Sequence, residues 1–199
     1  MDLADAPVDV QLAAFERLLL ANPLAVTVLD GLPLLGARGG LLAAGAVFQT
    51  VWNGLTGRDP AAGIQDYDVV YFDDGDLSWD AEDRVVRRAA EVFAGTGIDV
   101  EVRNQARVHL WYENRFGVPC PPYASTEAAI ASWPSTSSCL GVRRRDTGGL
   151  HVVAPFGFAD LFALRTRPNP TLAPRQVYET KTARWCAVWP ELTVLPWPD

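Results

Sequence analysis

Ile64-Gln65-Asp66-Tyr67-Asp68-Val69-Val70-Tyr71-Phe72 is the stretch from which the fold can be read. β-Branched and aromatic residues fill it and turn-formers bound it, so Asp66 to Phe72 reads as a strand. Asp66 and Asp68 lie two residues apart, which sends both side chains from one face with backbones about 7 Å apart. Tyr67 and Val69 then point the other way, into a core. Two carboxylates held together repel each other and desolvate at a cost unless a cation sits between them.

Upstream of that strand, Arg58 to Gly63 contains Pro60 and reads as a loop. Before it, Val47, Val51 and Leu55 fall at helical spacing, predicting a helix over Ala46–Leu55 that closes at Gly57. Leu41–Gly45 is a short apolar run, read as a buried strand. Val10–Ala21 carries Leu12, Phe15, Leu18 and Leu19 at helical spacing, and Asn22-Pro23 stops it. Downstream, Ser78 can cap a helix with Val85, Val86, Ala89 and Phe93 on one face, ending at Gly95 to Gly97. Ile98–Val102 alternates apolar and acidic residues, so Asp99 and Glu101 share one strand face.

The second half is less regular. Ser125 and Thr126 can open a short helix that Pro134 ends, and Asp146-Thr147-Gly148-Gly149 can turn a hairpin between Ser138–Arg143 and Leu150–Val153. Phe158–Leu164 reads as a helix stopping before Arg167-Pro168-Asn169-Pro170. Pro174 suits the first turn of a last helix that runs through Lys181 and Trp185 to about Val188.

A length of 199 residues suits one domain, with a core over about 10–115 and a helical and hairpin elaboration over about 120–199. Apolar residues at 49% and charged residues at 21% argue against disorder. A net charge of -7 sets the overall field against nucleic acid phosphates. Cys120, Cys139 and Cys186 are odd in number and form no Cys-x-x-Cys pair, which suits reduced thiols in the cytoplasm. No apolar run approaches the roughly 18 residues of a membrane span, and no export leader is evident. His109 and His151 are the only histidines, so a histidine-rich metal site is excluded; any catalytic metal must be oxygen-held, hence magnesium or manganese.

Glu101, or Asp99 in its place, could join Asp66 and Asp68 in an oxygen-only cage. Such cages bind divalent ions that polarise an α-phosphate and neutralise a leaving pyrophosphate. At Ala44-Gly45 a strand gives way to a helix, and the missing side chain lets backbone N–H groups of Gly45 and Ala46 approach a triphosphate. Asp-x-Asp alone arises often by chance, and a small residue before glycine is commonly a packing device. The ordered set of strand, small-Gly, helix, loop, Asp-x-Asp strand, helix and acidic strand is far more specific.

That order resembles the nucleotidyltransferase superfamily of DNA polymerase β and the CCA-adding enzymes. It is carried by Ala43-Ala44-Gly45-Ala46-Val47 through Leu55-Thr56-Gly57 and by Ile64 to Val70. More narrowly, the chain resembles a bacterial nucleotidyltransferase family once classed as a domain of unknown function. That match rests on Val51-Trp52-Asn53, Asp66 to Asp73, Val102 to Tyr112, Ala154-Pro155-Phe156-Gly157, Asp160-Leu161-Phe162 and Arg167-Pro168-Asn169-Pro170. The resemblance implies an α/β fold with a mixed sheet and flanking helices. It also implies Asp66, Asp68 and Glu101 as catalytic metal ligands, with Asp99 the fallback, and Asn53 joins the nucleotide-binding candidates. Where CCA-adding enzymes have Arg-Asp after the glycines, this chain has Phe48-Gln49, so their RNA-directed chemistry is not carried over.

Should the acidic strand continue past Glu101, Arg103, Gln105, Arg107 and His109 share its face. Arg103 and Arg107 suit phosphate oxygens and Asn104 a base or ribose edge; the plainer reading is a solvated strand face paired to nearby acids. His109 reads as a structural histidine, Arg143-Arg144-Arg145 as a solvated hairpin end, and Trp185 and Trp189 as core. Asp73, Asp74 and Asp76 lack the spacing of a calcium loop and read as a turn. The leading expectation is transfer of a nucleoside monophosphate from an NTP to a small-molecule, RNA or protein acceptor. The alternatives are an inactive nucleotide- or protein-binding relative and a phosphohydrolase using water.

Overall fold

The computed structural model describes residues 2–198. Helix α1 (Val8–Leu19) buries Ala14, Phe15 and Leu19. The chain does not simply stop at Asn22-Pro23, because the Asn22 side chain accepts the N–H groups of Leu24 and Ala25. With Pro23 in the first turn, that cap starts a second helix, α2 (Pro23–Gly31), which the helix-breaking reading of Asn-Pro did not foresee. Asn22 is fully buried, and its Nδ2 donates to Thr50 Oγ1 at 2.9 Å and the Tyr67 hydroxyl at 3.2 Å. One residue thus caps α2 and ties it to the next helix and strand.

The remaining elements of the first half fall where the patterning places them: β1 (Leu41–Ala43), α3 (Gly45–Leu55), β2 (Tyr67–Tyr71), α4 (Trp79–Val92) and β3 (Val100–Asn104). Ser78 caps α4 by accepting the Ala81 N–H. Then come α5 (Tyr112–Phe116), α6 (Thr126–Ile130), β4 (Gly141–Arg144), β5 (Leu150–Val153), α7 (Ala159–Phe162), β6 (Arg165–Thr166), α8 (Arg175–Val188) and β7 (Thr193–Val194). β4 and β5 form the expected hairpin, while β6 and β7 make a small separate parallel pair.

Five strands form one mixed sheet in the order β3-β2-β1-β4-β5. β1 runs antiparallel to both neighbours, whereas β2 and β3 are parallel, joined through α4 as a crossover helix. Strand alternation divides the faces. Leu42, Tyr67, Val69, Val102 and Val142 join the main core with α1, α2, α3 and α8, and Leu41, Ala43 and Val70 join a smaller cluster with Ile130 and Val153. In the main core Trp52 packs edge-on against Phe48, Trp185 and Trp189, with ring centroids 4.6, 5.8 and 5.5 Å away. Trp185 and Trp189 therefore fix α8 onto α3. Among the described residues no single helix is long and apolar enough to cross a membrane.

Candidate active site

β2 alternates, so the residues flanking Tyr67 and Val69 emerge on the sheet face opposite the main core. There Asp66, Asp68 and Glu101 line a cavity of about 450 Å³ together with Gly45. Register explains the grouping: Asp68 pairs with Glu101 across the parallel β2–β3 ladder and with Ala43 on its other side. Asp99 is exposed and does not line the cavity; its carbonyl accepts the Tyr67 N–H at 2.8 Å.

Burial first, then the charges of Asp66 and Glu101, push the Asp68 carboxyl up to about 7. Three acids with oxygen donors only, one of them hard to ionise beside the others, suit a hard divalent cation. The acids are neighbours without being a finished cage, since among the described residues no three acidic, His or Cys groups are already gathered for a metal. Glu101 is turned toward Arg103, whose Nη2 lies 3.4 Å from Glu101 Oε2.

Ala44 joins β1 to α3 with φ 49° and ψ −123°, a conformation that costs a residue with a Cβ on the order of 1–3 kcal/mol. That turn aims the first N–H groups of α3, at Gly45 and Ala46, without intrahelical partners. The N–H groups of Val47 and Phe48 bond back to the Ala44 carbonyl. A Cβ on Gly45 would come 3.0 Å from Gln49 Nε2, and Gln49 also lines the cavity, so the approach is tight.

Three expected nucleotide contacts are placed otherwise. Asn53 is fully buried: its Nδ2 donates to the Pro60 and Ala62 carbonyls, and its Oδ1 accepts Trp189 Nε1 at 3.0 Å. The acidic strand does not continue through residue 109, because Asn104 turns it. Its Oδ1 accepts the N–H groups of Asp73 and Ala106, its Nδ2 donates to the Asp73 carbonyl, and a 3-10 turn over Gln105–Leu110 follows. Arg107 consequently pairs with Glu82 and the Leu77 carbonyl, outside the cavity lining. The Ala46 side chain packs in the main core, leaving only its N–H to the site. Arg103 and Gln105 do line the cavity; His109 does not, and its buried Nδ1 has no partner among the described residues.

The cavity lining also carries residues that strand-face reasoning missed. Lys181 and Arg184 on α8 and Arg115 on α5 line the cavity, and among the described residues none of the three makes a salt bridge. Burial, then Arg184, lowers the Lys181 pKa, against the pull of Asp68 and Asp66. A signal existed in the sequence, since Lys181 is the only lysine among 17 basic residues.

A family model described as Nucleotidyltransferase matches residues 35–194. A solution NMR structure described as revealing a CCA-adding enzyme head domain is similar at a TM-score of 0.74 and 22% identity. The match covers 98% of this chain and 100% of that one, and at that identity it speaks for the fold. No curated protein matches the chain.

Proposed function

Since this chain belongs to the nucleotidyltransferase family, we propose that it is a metal-dependent enzyme that moves a nucleoside monophosphate from an NTP to an acceptor at Asp66, Asp68 and Glu101. The observation that carries this reading is the ladder pairing of Asp68 with Glu101 inside a cavity that the start of α3 also faces. Asp66, Asp68 and Glu101 would hold magnesium or manganese, which when bound supplies charge neutralisation at the phosphates.

The chain's own groups do the rest. The Gly45 and Ala46 N–H groups and the positive end of α3 receive the triphosphate. Lys181 and Arg184 offset its charge from α8, and Arg103 leaves Glu101 to meet a phosphate oxygen. In the transfer, the acceptor oxygen bonds to the α-phosphorus as the bond to the bridging oxygen breaks. Pyrophosphate leaves with the bonding pair, and the acceptor's proton passes to water. We further read the chain as one domain acting in the cytoplasm, a reading its three unpaired cysteines support.

The test is incubation with α-labelled and γ-labelled NTPs, manganese and a cell extract. Transfer of the α-label with release of γ-labelled pyrophosphate is expected, and both should vanish in Asp66→Asn. Nucleotide bound but returned unchanged would favour an inactive relative; free NMP without an adduct would indicate hydrolysis.

A further inference from the structure

Sheet order gives the cavity a direction. Gly45 follows β1, Asp68 belongs to β2 with Asp66 just before it, and Glu101 belongs to β3, which is an edge strand. With the donor's phosphates at Gly45, the side beyond Glu101 is left for the acceptor. The chain leaving β3 passes through one 3-10 turn and then supplies Trp111, Tyr112, Arg115 and Phe116 to the same cavity.

Those four residues bring together three aromatic rings, tilted 39–51° to one another, and one charge without a carboxylate partner. Trp111 is 36% exposed, and Tyr112 is buried with its ring centroid 4.6 Å from that of Phe116. The Arg115 guanidinium sits 5.5 Å from the Phe116 ring centre. It has no carboxylate partner among the described residues. An aromatic face offers stacking to a planar group, and a free guanidinium offers a fork to carboxylate or phosphate. From this we propose that the acceptor is a small, planar, hydroxyl-bearing anion, held beyond Glu101 by Trp111, Phe116 and Arg115.

A nucleic acid chain fits the same surroundings poorly. The net charge is -7, and the only Arg-Arg-Arg run ends β4, on the opposite side of the sheet from β3, with Arg144 paired to Asp30. The cations beside Glu101 in the cavity lining are Arg103 and Arg115, a charge that suits one compact anion better than a run of backbone phosphates. A cavity of about 450 Å³ also has to hold the NTP, which leaves room within it for a small acceptor group.

This proposal rests on the nucleotidyl-transfer reading, and its test separates the two. An extract is divided by ultrafiltration into small-molecule and macromolecular fractions, and each is offered to the protein with α-labelled NTP and manganese. Label is expected in the small fraction, on an anionic product absorbing in the near ultraviolet. Hydroxybenzoate should compete with the natural acceptor, and glycerate, an anion without a ring, should not. Arg115→Gln should raise the KM for the active small fraction about 10-fold or more, the loss expected for a charge-assisted hydrogen-bond pair. Trp111→Ala should also raise it, and NTP affinity should be unchanged in both variants. Label on RNA or protein, or an equal loss of NTP affinity in both variants, would overturn the acceptor assignment and leave the transfer reading standing. No NTP binding and no label in either fraction would overturn both.

Discussion

Asp68 is an anion only at a cost. Its pKa is raised from 3.8 to about 7 by burial and by Asp66 and Glu101, so the folded protein holds that proton more tightly than the unfolded chain does. The stability this contributes is fully present below about pH 4 and is lost as pH rises through about 7. Metal-free protein should therefore melt progressively lower between pH 5 and pH 8 as far as this group is concerned. Asp68→Asn should flatten the decline, which melting curves in chelator will reveal. At Ala44 the strain is in the backbone: with φ 49° and ψ −123°, the residue occupies space that suits glycine. Ala44→Gly should raise stability by about 1 kcal/mol, after the entropy that glycine costs in the unfolded chain is set against the relieved strain. A loss in denaturant unfolding would show that this turn is not strained. At Gly45 a branched side chain would crowd Gln49 and the approach to the helix start. Gly45→Val should weaken NTP binding, and a folded variant with unchanged nucleotide affinity would remove the triphosphate from that end of α3.

At the scale of elements, α3 and α8 are joined by Trp185, Trp189 and the Trp189–Asn53 hydrogen bond. Asn53→Ala strands the Trp189 N–H and the Ala62 carbonyl, while the Pro60 carbonyl keeps its bond from Asn22, at an expected cost of about 2–3 kcal/mol. Because Asn53 lies outside the cavity lining, the folded variant should bind NTP as well as wild type does; calorimetry on the folded protein decides between a joint and a ligand contact. The same residue marks where the sequence stopped being legible. Periodicity revealed α3, β2, α4 and β3, since each has one apolar face whose spacing survives in the string. It also put Asp66 and Asp68 on one strand face, because strand alternation is a local rule, but it left Asp99 and Glu101 equivalent, and the β2–β3 register is what sets Glu101 beside Asp68. What it could not see were side chains whose partners are distant in sequence: Asn53 meets Trp189, Asn104 meets Asp73, and Arg107 meets Glu82. Asn104 in particular ends β3 by accepting from the next turn, so a pattern that still alternates through residue 109 becomes a 3-10 turn. α2 went unseen for a related reason, because Asn22-Pro23 both stops one helix and starts another.

Across the whole molecule, a chain of net charge -7 gathers Arg103, Arg115, Lys181 and Arg184 around the cavity that holds its acidic trio. Lys181 and Arg184 suit the phosphates of a polyanion and the acidic trio the divalent cation carried with it, while Arg115 is left to the acceptor. The claim that most depends on this arrangement is that Asp66 and Asp68 are metal ligands and not a structural pair, and it can be tested without knowing the acceptor. Melting curves of wild type and Asp68→Asn are recorded at pH 8 with and without manganese. At about 100 times its dissociation constant, the metal should stabilise wild type by roughly 2.7 kcal/mol. For a chain of this size that is a rise of about 5 to 10 °C. Asp68→Asn should match or exceed wild type without metal and lose most of the rise with it. A metal-insensitive wild type beside a destabilised Asp68→Asn would contradict the account.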